Sequence, residues 1–247
     1  MNKKNKDINF WSNYWTGMAN AYENPITAVG YTELGDTISN NTFNEIIQDI
    51  INKIDLREYD KLLDVGCGNG IVLSKLNDVI SDFKGVDLSS GMIDNAISYL
   101  GDNFYIAEAI DLPFNNNSFN KILCYSVFHY FPNYIYARRA ITEIIRVLKP
   151  QGKILIGDIP LKCKKNIYLD YKGINNIKRL LFYIKEFLSN ISTYNFIPTH
   201  LWYKKEFFEE TLSNIDGVKY KFLDQNNINS RETAILGIRF DVLIEKV

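Results

Sequence analysis

The chain has 247 residues, 46 % of them apolar, a formal net charge of −1 and a pI of about 6.2. This length and apolar content suffice for one domain with a full core, and the charge excludes a global field that would attract nucleic acid. The three cysteines are scattered without metal-ligand spacing and no apolar run marks a signal peptide or a membrane span, so we expect a cytoplasmic protein with no metal site.

The amino-terminal part of the chain predicts a cap rather than a strand of the sheet. Residues 1–9 are polar and predict a mobile tail, whereas the following stretch "FWSNYWTGMANAYENP" is dense in aromatic residues. Apolar residues then recur at helical spacing from Phe43 to Ile54, and Thr42 with Glu45 predicts a capping box at the start of that helix.

The central part of the chain alternates between apolar strands and amphipathic helices. The segment "KLLDVGCGNGIVLSKL" predicts a strand, a glycine-rich turn and a helix; further strands are predicted at 83–88, 103–109, 120–128 and 153–159, and helices at 90–100 and 134–148. Nearly continuous apolar strands separated by helices predict a parallel sheet that is covered on both faces.

Between residues 161 and 200 this alternation stops. An apolar stripe at helical spacing and an excess of lysines predict a helical insertion with one basic face. A helix at 205–215, a strand at 218–224 and a long last strand at 234–247 complete the expected elements.

The glycine-rich turn does not fit a dinucleotide loop. Gly66 and Gly68 supply two glycines of G-x-G-x-x-G, but Ile71 stands at the third position. Asp64, at the end of the preceding strand, would repel a pyrophosphate and favour a ligand that carries a cation. The other interpretation of the same residues is an ordinary strand-to-helix turn.

Acidic residues also follow the next two predicted strands. Asp87 stands where an α/β nucleotide site places an acid that accepts both ribose hydroxyls. Glu108 and the backbone of Ala109 could hydrogen-bond an adenine, with Asp111 competing for the role of Glu108. The apolar side chains of Met92 and Ile110 could enclose the purine ring from its two faces.

Four stretches in this order, "LLDVGCGNG", "GVDLSSGMI", "AEAIDLPFNNNSFNKILCYSVFHYF" and "EIIRVLKPQGKILIGD", resemble the motifs of class I S-adenosylmethionine-dependent methyltransferases. The resemblance covers residues 61–158. It implies a doubly wound α/β fold with a seven-stranded sheet of order 3-2-1-4-5-7-6, in which only the last strand is antiparallel. It also implies that residues 1–247 form one domain, with 1–42 as the cap and 161–200 as a helical lid.

The same resemblance assigns the S-adenosylmethionine site. Asp64 and the backbone of residues 66–68 would face the methionine part, Asp87 the ribose, and residues 108–110 the adenine. The complete set of implied cofactor residues is Asp64, Gly66, Cys67, Gly68, Asp87, Leu88, Met92, Glu108, Ala109, Ile110 and Ser126.

The methyl acceptor is expected to be a small molecule, with oxygen ahead of nitrogen as the methylated atom. Candidate catalytic groups are His129 and His200, and candidate substrate contacts are Tyr14, Tyr22 and again His200; a structural role is the alternative for His129. The basic insertion favours an anionic or sugar-linked acceptor, although peripheral docking on anionic lipid would use the same charges.

Two other classes of function remain open. One is methylation of protein or nucleic acid, which the acidic pI and the sequence "YSVFHY" after the fourth strand disfavour, because no Asn/Asp-Pro-Pro-Tyr/Phe motif stands there. The other is a cofactor-binding module without catalysis, since a fold does not secure an activity.

Overall fold

The computed structural model describes residues 3–178, 184, 200–225 and 227–247, with side chains from Ile8 onward. The helices are α1 (Lys3–Ala21), α2 (Pro25–Ala28), α3 (Asn40–Ile54), α4 (Ile71–Leu76), α5 (Ser90–Leu100), α6 (Tyr134–Val147), α7 (Lys165–Tyr171), α8 (Lys205–Leu212) and α9 (Glu232–Ile235). A short hairpin consists of β1 (Thr32–Glu33) and β2 (Asp36–Thr37), and the main sheet contains β3 (Lys61–Val65), β4 (Asp82–Asp87), β5 (Phe104–Ile106), β6 (Phe119–Tyr125), β7 (Leu148–Pro160), β8 (Val218–Leu223) and β9 (Arg239–Lys246).

The main sheet has seven strands in the order β5-β4-β3-β6-β7-β9-β8. Counted along this sheet alone, the order is 3-2-1-4-5-7-6, so the predicted topology is confirmed. The strands β3 to β7 pair in parallel, and β9 runs antiparallel to both β7 and β8. The carboxyl ends of β3, β4, β6 and β7 therefore meet at one edge, which is where a doubly wound sheet binds ligands.

Apolar side chains are buried on both faces of the sheet, as the continuous apolar strands predict. In β3, Leu62 packs in a cluster with α3, α4 and α5, whereas its neighbour Leu63 packs in a second cluster with α6 and α8. Successive side chains of a strand point to opposite faces, so one apolar strand supplies both layers. Helices packed on both faces of the sheet hold the strand ends at the ligand-binding edge in fixed positions.

The amino-terminal segment differs from its prediction, because α1 is helical from Lys3 and the expected mobile tail is wrong over residues 3–9. Ile8 and Trp11 are buried and spaced for one helical face. The hydroxyl of Ser12 donates to the Leu88 carbonyl at 3.1 Å, and Thr16 hydrogen-bonds Ser89 at 2.9 Å. These contacts hold α1 against the start of α5, across the ligand-binding edge of the sheet.

Two element boundaries also differ. The helix α3 begins at Asn40 with Ser39 as its N-cap, so the capping box of Thr42 and Glu45 is wrong; Glu45 instead accepts hydrogen bonds from Ser230. The predicted last strand at 234–247 is interrupted at its start by α9 and by Gly237, whose φ of 60° turns the chain before β9.

A buried ion cluster joins α3 to the sheet. The ammonium of Lys53 contacts the carboxylates of Asp49 and Asp241, the latter at 2.6 Å, and none of the three side chains exceeds 8 % exposure. Burial alone would lower the pKa of Lys53, but the Asp241 and Asp49 carboxylates outweigh it and raise that pKa. The cluster is stable only while the cation is present, because two carboxylates would otherwise face each other in a dry site.

We expect Lys53→Ala to reduce the free energy of unfolding by about 3 kcal/mol, since it leaves buried carboxylates without a partner. The matched control is Arg57→Ala, which removes an exposed ion pair with Asp55 and is expected to cost below about 1 kcal/mol. Urea denaturation followed by circular dichroism measures both. Equal losses in the two variants would contradict this account of the cluster.

Candidate active site

The loop after β3 is shaped by glycines in the left-handed region. Gly66, Gly68 and Gly70 have φ values of 80°, 55° and 78°, which other residues rarely adopt. A Cβ added to Gly66 would lie 2.4 Å from a methyl group of Val127, so this position also requires the missing side chain. The amides of residues 66 and 67 donate to the Val86 carbonyl and hold the loop against β4.

Asp87 ties the loop to the next strand. Its two carboxylate oxygens accept hydrogen bonds from the amides of Gly68, at 2.9 Å, and Ser89, at 2.8 Å. Burial raises the pKa of Asp87, while these amides oppose the rise. The carboxylate is therefore fixed in direction at the end of β4, with its position determined by the loop and by the start of α5.

Asp64 is the second acidic group at this edge, and it is 3 % exposed. Burial, together with the nearby Asp87 charge, raises the pKa of Asp64 to about 8. No cation of the described residues forms an ion pair with it. A site that keeps such an acid is prepared for a ligand that brings positive charge.

A cavity lies between these acids, the glycine loop and α1. Every implied cofactor residue except Ile110 lines it, and the residues so placed are Asp64, Gly66, Cys67, Gly68, Asp87, Leu88, Met92, Glu108, Ala109 and Ser126. Ile110 instead packs, partly buried, against the apolar cluster that includes α6. Glu108 accepts a hydrogen bond from the Tyr136 hydroxyl at 3.3 Å, which orients it at the cavity wall.

Sequence reasoning missed the indole side chains of α1 as cavity residues. Trp11 and Trp15 both line the cavity, together with Tyr130 from the turn after β6. Their rings pack edge to face against Tyr130 at centroid distances of 4.7 and 5.2 Å. The aromatic density of residues 10–25 was the available signal, but it does not specify which rings turn inward.

A second cleft adjoins the cavity, and the two share a wall of Trp11, Trp15, Val29, Tyr31, Ser126 and Tyr130. The predicted acceptor residues all line this cleft, namely Tyr14, Tyr22, His129 and His200. The imidazole of His200 stacks on Trp11 at 5.7 Å and lies 5.0 Å from the ring of His129. The structure therefore brings together residues that are far apart in sequence.

The two histidines differ in burial. His129 is 4 % exposed, its Nδ1 has no hydrogen-bond partner among the described residues, and burial lowers its pKa well below the ordinary value. His200 is exposed to the cleft, and its pKa is also lowered, by loss of water around the ring and by the charge of Arg239. Both side chains are therefore neutral at physiological pH, and each has one unprotonated ring nitrogen.

The ends of β6 and β7 are joined by a strained, charged contact. Ser126 and Asp158 both have positive φ values, 61° and 58°, and the Ser126 hydroxyl donates to the Asp158 carboxylate. Arg231 binds the same carboxylate through two nitrogens at 2.9 and 3.3 Å. This guanidinium, and that of Arg239, hold the pKa of Asp158 well below its usual range against the effect of burial.

The described ranges contain no candidate for a metal site or a membrane span. No group of three histidine, cysteine or acidic side chains there is placed to hold a metal ion. No helix in that part of the chain is long and apolar enough to cross a membrane.

Comparison with known proteins identifies the central part of the chain. A family model described as "Methyltransferase domain" matches residues 63–156. The 27-O-demethylrifamycin SV methyltransferase of Amycolatopsis mediterranei is 33 % identical over 116 residues, which are 43 % of this chain and 41 % of that protein. The chain spans about half the length of the curated relatives it matches.

Solved structures share the fold at lower identity. A SAM-dependent methyltransferase from Methanosarcina mazei superimposes with a TM-score of 0.54 at 20 % identity, over 80 % of this chain and 96 % of that chain. Phosphoethanolamine N-methyltransferase 1 of Haemonchus contortus, solved with phosphoethanolamine and S-adenosylhomocysteine, gives a TM-score of 0.68 at 14 % identity, over 100 % of this chain and 50 % of that chain. These two likenesses concern the fold.

The raised pKa of Asp64 has a consequence for stability. A folded-state pKa of about 8, against an ordinary value of 3.8, means that the folded protein holds a proton that the unfolded chain releases. Stability from this group is complete below pH 3.8 and is lost as the pH rises towards 8. We expect Asp64→Asn, which mimics the protonated acid, to raise the melting temperature at pH 8 more than at pH 5.

Thermal unfolding at the two pH values, without added ligand, measures this difference. Asp82→Asn is the control, because Asp82 is exposed at the amino end of the neighbouring strand β4, away from the cavity. A pH-independent effect of Asp64→Asn would contradict the raised pKa.

Proposed function

We propose that this chain, a member of the class I S-adenosylmethionine-dependent methyltransferases, transfers a methyl group from S-adenosylmethionine to a small-molecule acceptor. The acceptor atom in this proposal is a hydroxyl oxygen, with a nitrogen as the alternative. One observation carries this proposal. The cavity that contains the family's motif residues shares a wall with the aromatic cleft. Two reactants bound on either side of that wall would be adjacent.

The residues of the cavity fit S-adenosylmethionine. Asp87, fixed by two backbone amides, is directed to accept ribose hydroxyls, and Glu108 with the backbone of Ala109 would hold the adenine. The glycine loop lets the backbone approach the methionine part closely. Asp64 would complement positive charge on that part, which agrees with the absence of an ion-pair partner for it among the described side chains.

When bound, S-adenosylmethionine supplies a methyl group that its sulfonium has already activated. The protein then contributes mainly alignment and exclusion of water. Trp11, Trp15 and Tyr130, which line both the cavity and the cleft, would set the approach of the acceptor and keep the region between them apolar. Such positioning needs rigid side chains, and the edge-to-face contacts of these rings supply that rigidity.

A hydroxyl acceptor also needs a group that takes its proton. His129 and His200 are candidates, since both line the cleft and both are neutral at physiological pH. This supports oxygen as the acceptor atom. A nitrogen acceptor is supported by a different observation: electron-rich aromatic rings line the cleft and would attract an ammonium or amine substrate. A protein or nucleic-acid substrate has less support, because the charge balance is slightly negative.

The cap and lid also enter the proposal. Within 1–42, α1 forms the wall between cavity and cleft. Within 161–200, the described part places Tyr168, Tyr171 and Lys172 at the cleft, which supports an acceptor-selecting role, and most of the remaining lid lies outside the described residues. Lys164 and Lys165 do not line either space, so selection of an anionic acceptor would depend on other cations. A cytoplasmic location remains part of the proposal.

Asp87→Ala is expected to weaken S-adenosylmethionine binding by about 1.5–3 kcal/mol, the cost of losing hydrogen bonds to a charged acceptor. Isothermal titration calorimetry measures the dissociation constant, and Asp82→Ala, at the far end of the same strand, is the matched control. Circular dichroism checks that the variant is folded. An unchanged affinity in folded Asp87→Ala would remove Asp87 from the site.

If a histidine is the general base, its replacement should slow methyl transfer to a hydroxyl acceptor. Replacing the base by Asn, in His129→Asn or His200→Asn, should lower kcat with a hydroxyl acceptor by about 100-fold and leave cofactor affinity unchanged. Wild-type kcat/KM should fall on acidification only below the ordinary histidine range, because the lowered pKa keeps the base neutral. Turnover of S-adenosylmethionine against an acceptor panel provides the measurement. If both variants keep wild-type kcat, neither histidine is the base.

A further inference from the structure

Three cations lie around the part of the cleft that is not shared with the cofactor cavity. They are Arg231, Arg239 and Lys172, and they come from three different segments of the chain. The side chains of Arg231 and Arg239 are only 9 % and 11 % exposed. Neither the family motifs nor the methyl-transfer step uses these three residues.

The carboxylates in this region leave the cations only partly compensated. Asp158 is bound through both oxygens by Arg231, and Arg239 donates to its backbone carbonyl at 3.1 Å. The Nε atoms of both arginines are buried without a hydrogen-bond partner among the described residues. The Arg231 Nε lies 3.8 Å from a Glu33 carboxylate oxygen and the Arg239 Nε lies 3.9 Å from an Asp158 carboxylate oxygen. Both distances exceed that of a hydrogen bond.

Lys172 adds to this excess of positive charge. Burial lowers its pKa, and the charge of Arg239 lowers it further, whereas Glu33 acts in the opposite direction. Its ammonium lies 5.8 Å and 5.9 Å from the ring centroids of Tyr168 and Tyr171. A cation held beside others in a half-buried cleft is stabilised when an anion enters.

Aromatic side chains line the same cleft as the three cations. Trp11, Tyr14 and Tyr22 of α1 and the segment after it face the space that the cations border. Rings of this kind hold a planar group by stacking or by edge-to-face contact. The cleft thus combines a planar-binding wall with a cationic end.

We propose that Arg231, Arg239 and Lys172 bind the carboxylate or phosphate of a planar acceptor whose ring lies against the aromatic wall. This inference rests on the proposed methyl transfer and specifies its substrate class. Arginine suits the role because its planar donors match the oxygens of both anions. The anion would supply acceptors for the two Nε donors that the described residues leave unpaired.

A purely structural role explains less of the arrangement. Asp158 accepts two hydrogen bonds from Arg231 and lies 3.9 Å from the Arg239 Nε, so one carboxylate already serves two guanidiniums. Burying a second guanidinium and a lysine nearby, with fewer carboxylates than cations, costs free energy that a bound anion would offset. The lysines at 164 and 165 do not border the cleft, so they serve as a comparison rather than as part of the site.

The test uses three probes that differ only in the group opposite a phenolic hydroxyl: 4-hydroxybenzoate, 4-hydroxyphenyl phosphate and neutral 4-hydroxybenzamide. Binding to the full chain saturated with S-adenosylhomocysteine is measured by calorimetry and by quenching of tryptophan fluorescence, since Trp11 and Trp15 border the cleft. We expect the anions to bind about tenfold more tightly than the amide, as for charge-assisted hydrogen bonds. The anion that binds with the lower dissociation constant identifies the acceptor group as a carboxylate or a phosphate.

The variants assign that preference to the named cations. Arg239→Gln and Lys172→Gln should abolish it, Arg239→Lys should retain part of it, and the control Lys164→Gln should leave it unchanged. If Arg239→Gln does not fold, the anion preference of Arg239→Lys and Lys172→Gln tests the proposal instead. Equal binding of amide and anions, binding of none of the probes, or the same loss in Lys164→Gln would overturn the proposal.

A separate readout distinguishes this inference from the proposed function. S-adenosylhomocysteine affinity should be the same in the wild type and in all four variants, because none of these residues lines the cofactor cavity. Failure of the wild type to bind S-adenosylhomocysteine would contradict the proposed function itself. Loss of the anion preference alone, with cofactor binding intact, would contradict only the acceptor class.

Discussion

The burial of two acids at one edge of a parallel sheet is the constraint on which the site depends. Asp64 and Asp87 lie at the ends of adjacent strands. Burial raises the pKa of both carboxyl groups, and the charge of Asp87 raises the pKa of Asp64 further. Asp87 is stabilised by two backbone amides that only the glycine turn and the start of α5 can present together. Asp64 has no comparable support, so its charge is left for a ligand to balance.

A third buried acid, Asp158, lies at the carboxyl end of β7. Asp158 stays ionised because two guanidiniums and the Ser126 hydroxyl surround it, and its left-handed backbone directs it towards them. Left-handed backbone at a residue other than glycine costs about 1 kcal/mol or more, so the surrounding contacts must offset it. The contact joins β6, β7 and the segment before β9, and it therefore builds one wall of the cleft as well as stabilising the sheet.

The cavity and the cleft have opposite electrostatic characters, although they share a wall. Carboxylates line the cavity, whereas cations and aromatic rings line the far part of the cleft. The indole rings of α1 and the ring of Tyr130 belong to the wall that the two regions share. Such an arrangement suits a cationic donor on one side and an anionic acceptor on the other, with their reacting groups meeting at the apolar wall.

The sequence by itself predicted the fold, the strand order and nearly all of the motif residues that line the cavity. The alternating fold follows from nearly continuous apolar strands and helices of period 3.6. The strand order and the cavity residues follow from the resemblance of four ordered motifs to class I methyltransferases. Ile110 does not line the cavity, because its side chain packs, partly buried, against the apolar cluster that includes α6.

Only the tertiary structure decided how the second cleft is built. Arg231 and Arg239 lie 73 and 81 residues after Asp158, and no periodicity or motif relates such distant positions. The inward rings of α1 are equally invisible in sequence, because an aromatic segment can bury any of its faces until a partner surface exists. The acidic and glycine residues of the cavity lie at neighbouring strand ends, whose geometry is local to each strand and turn. The residues of the cleft meet through packing between distant segments of the chain.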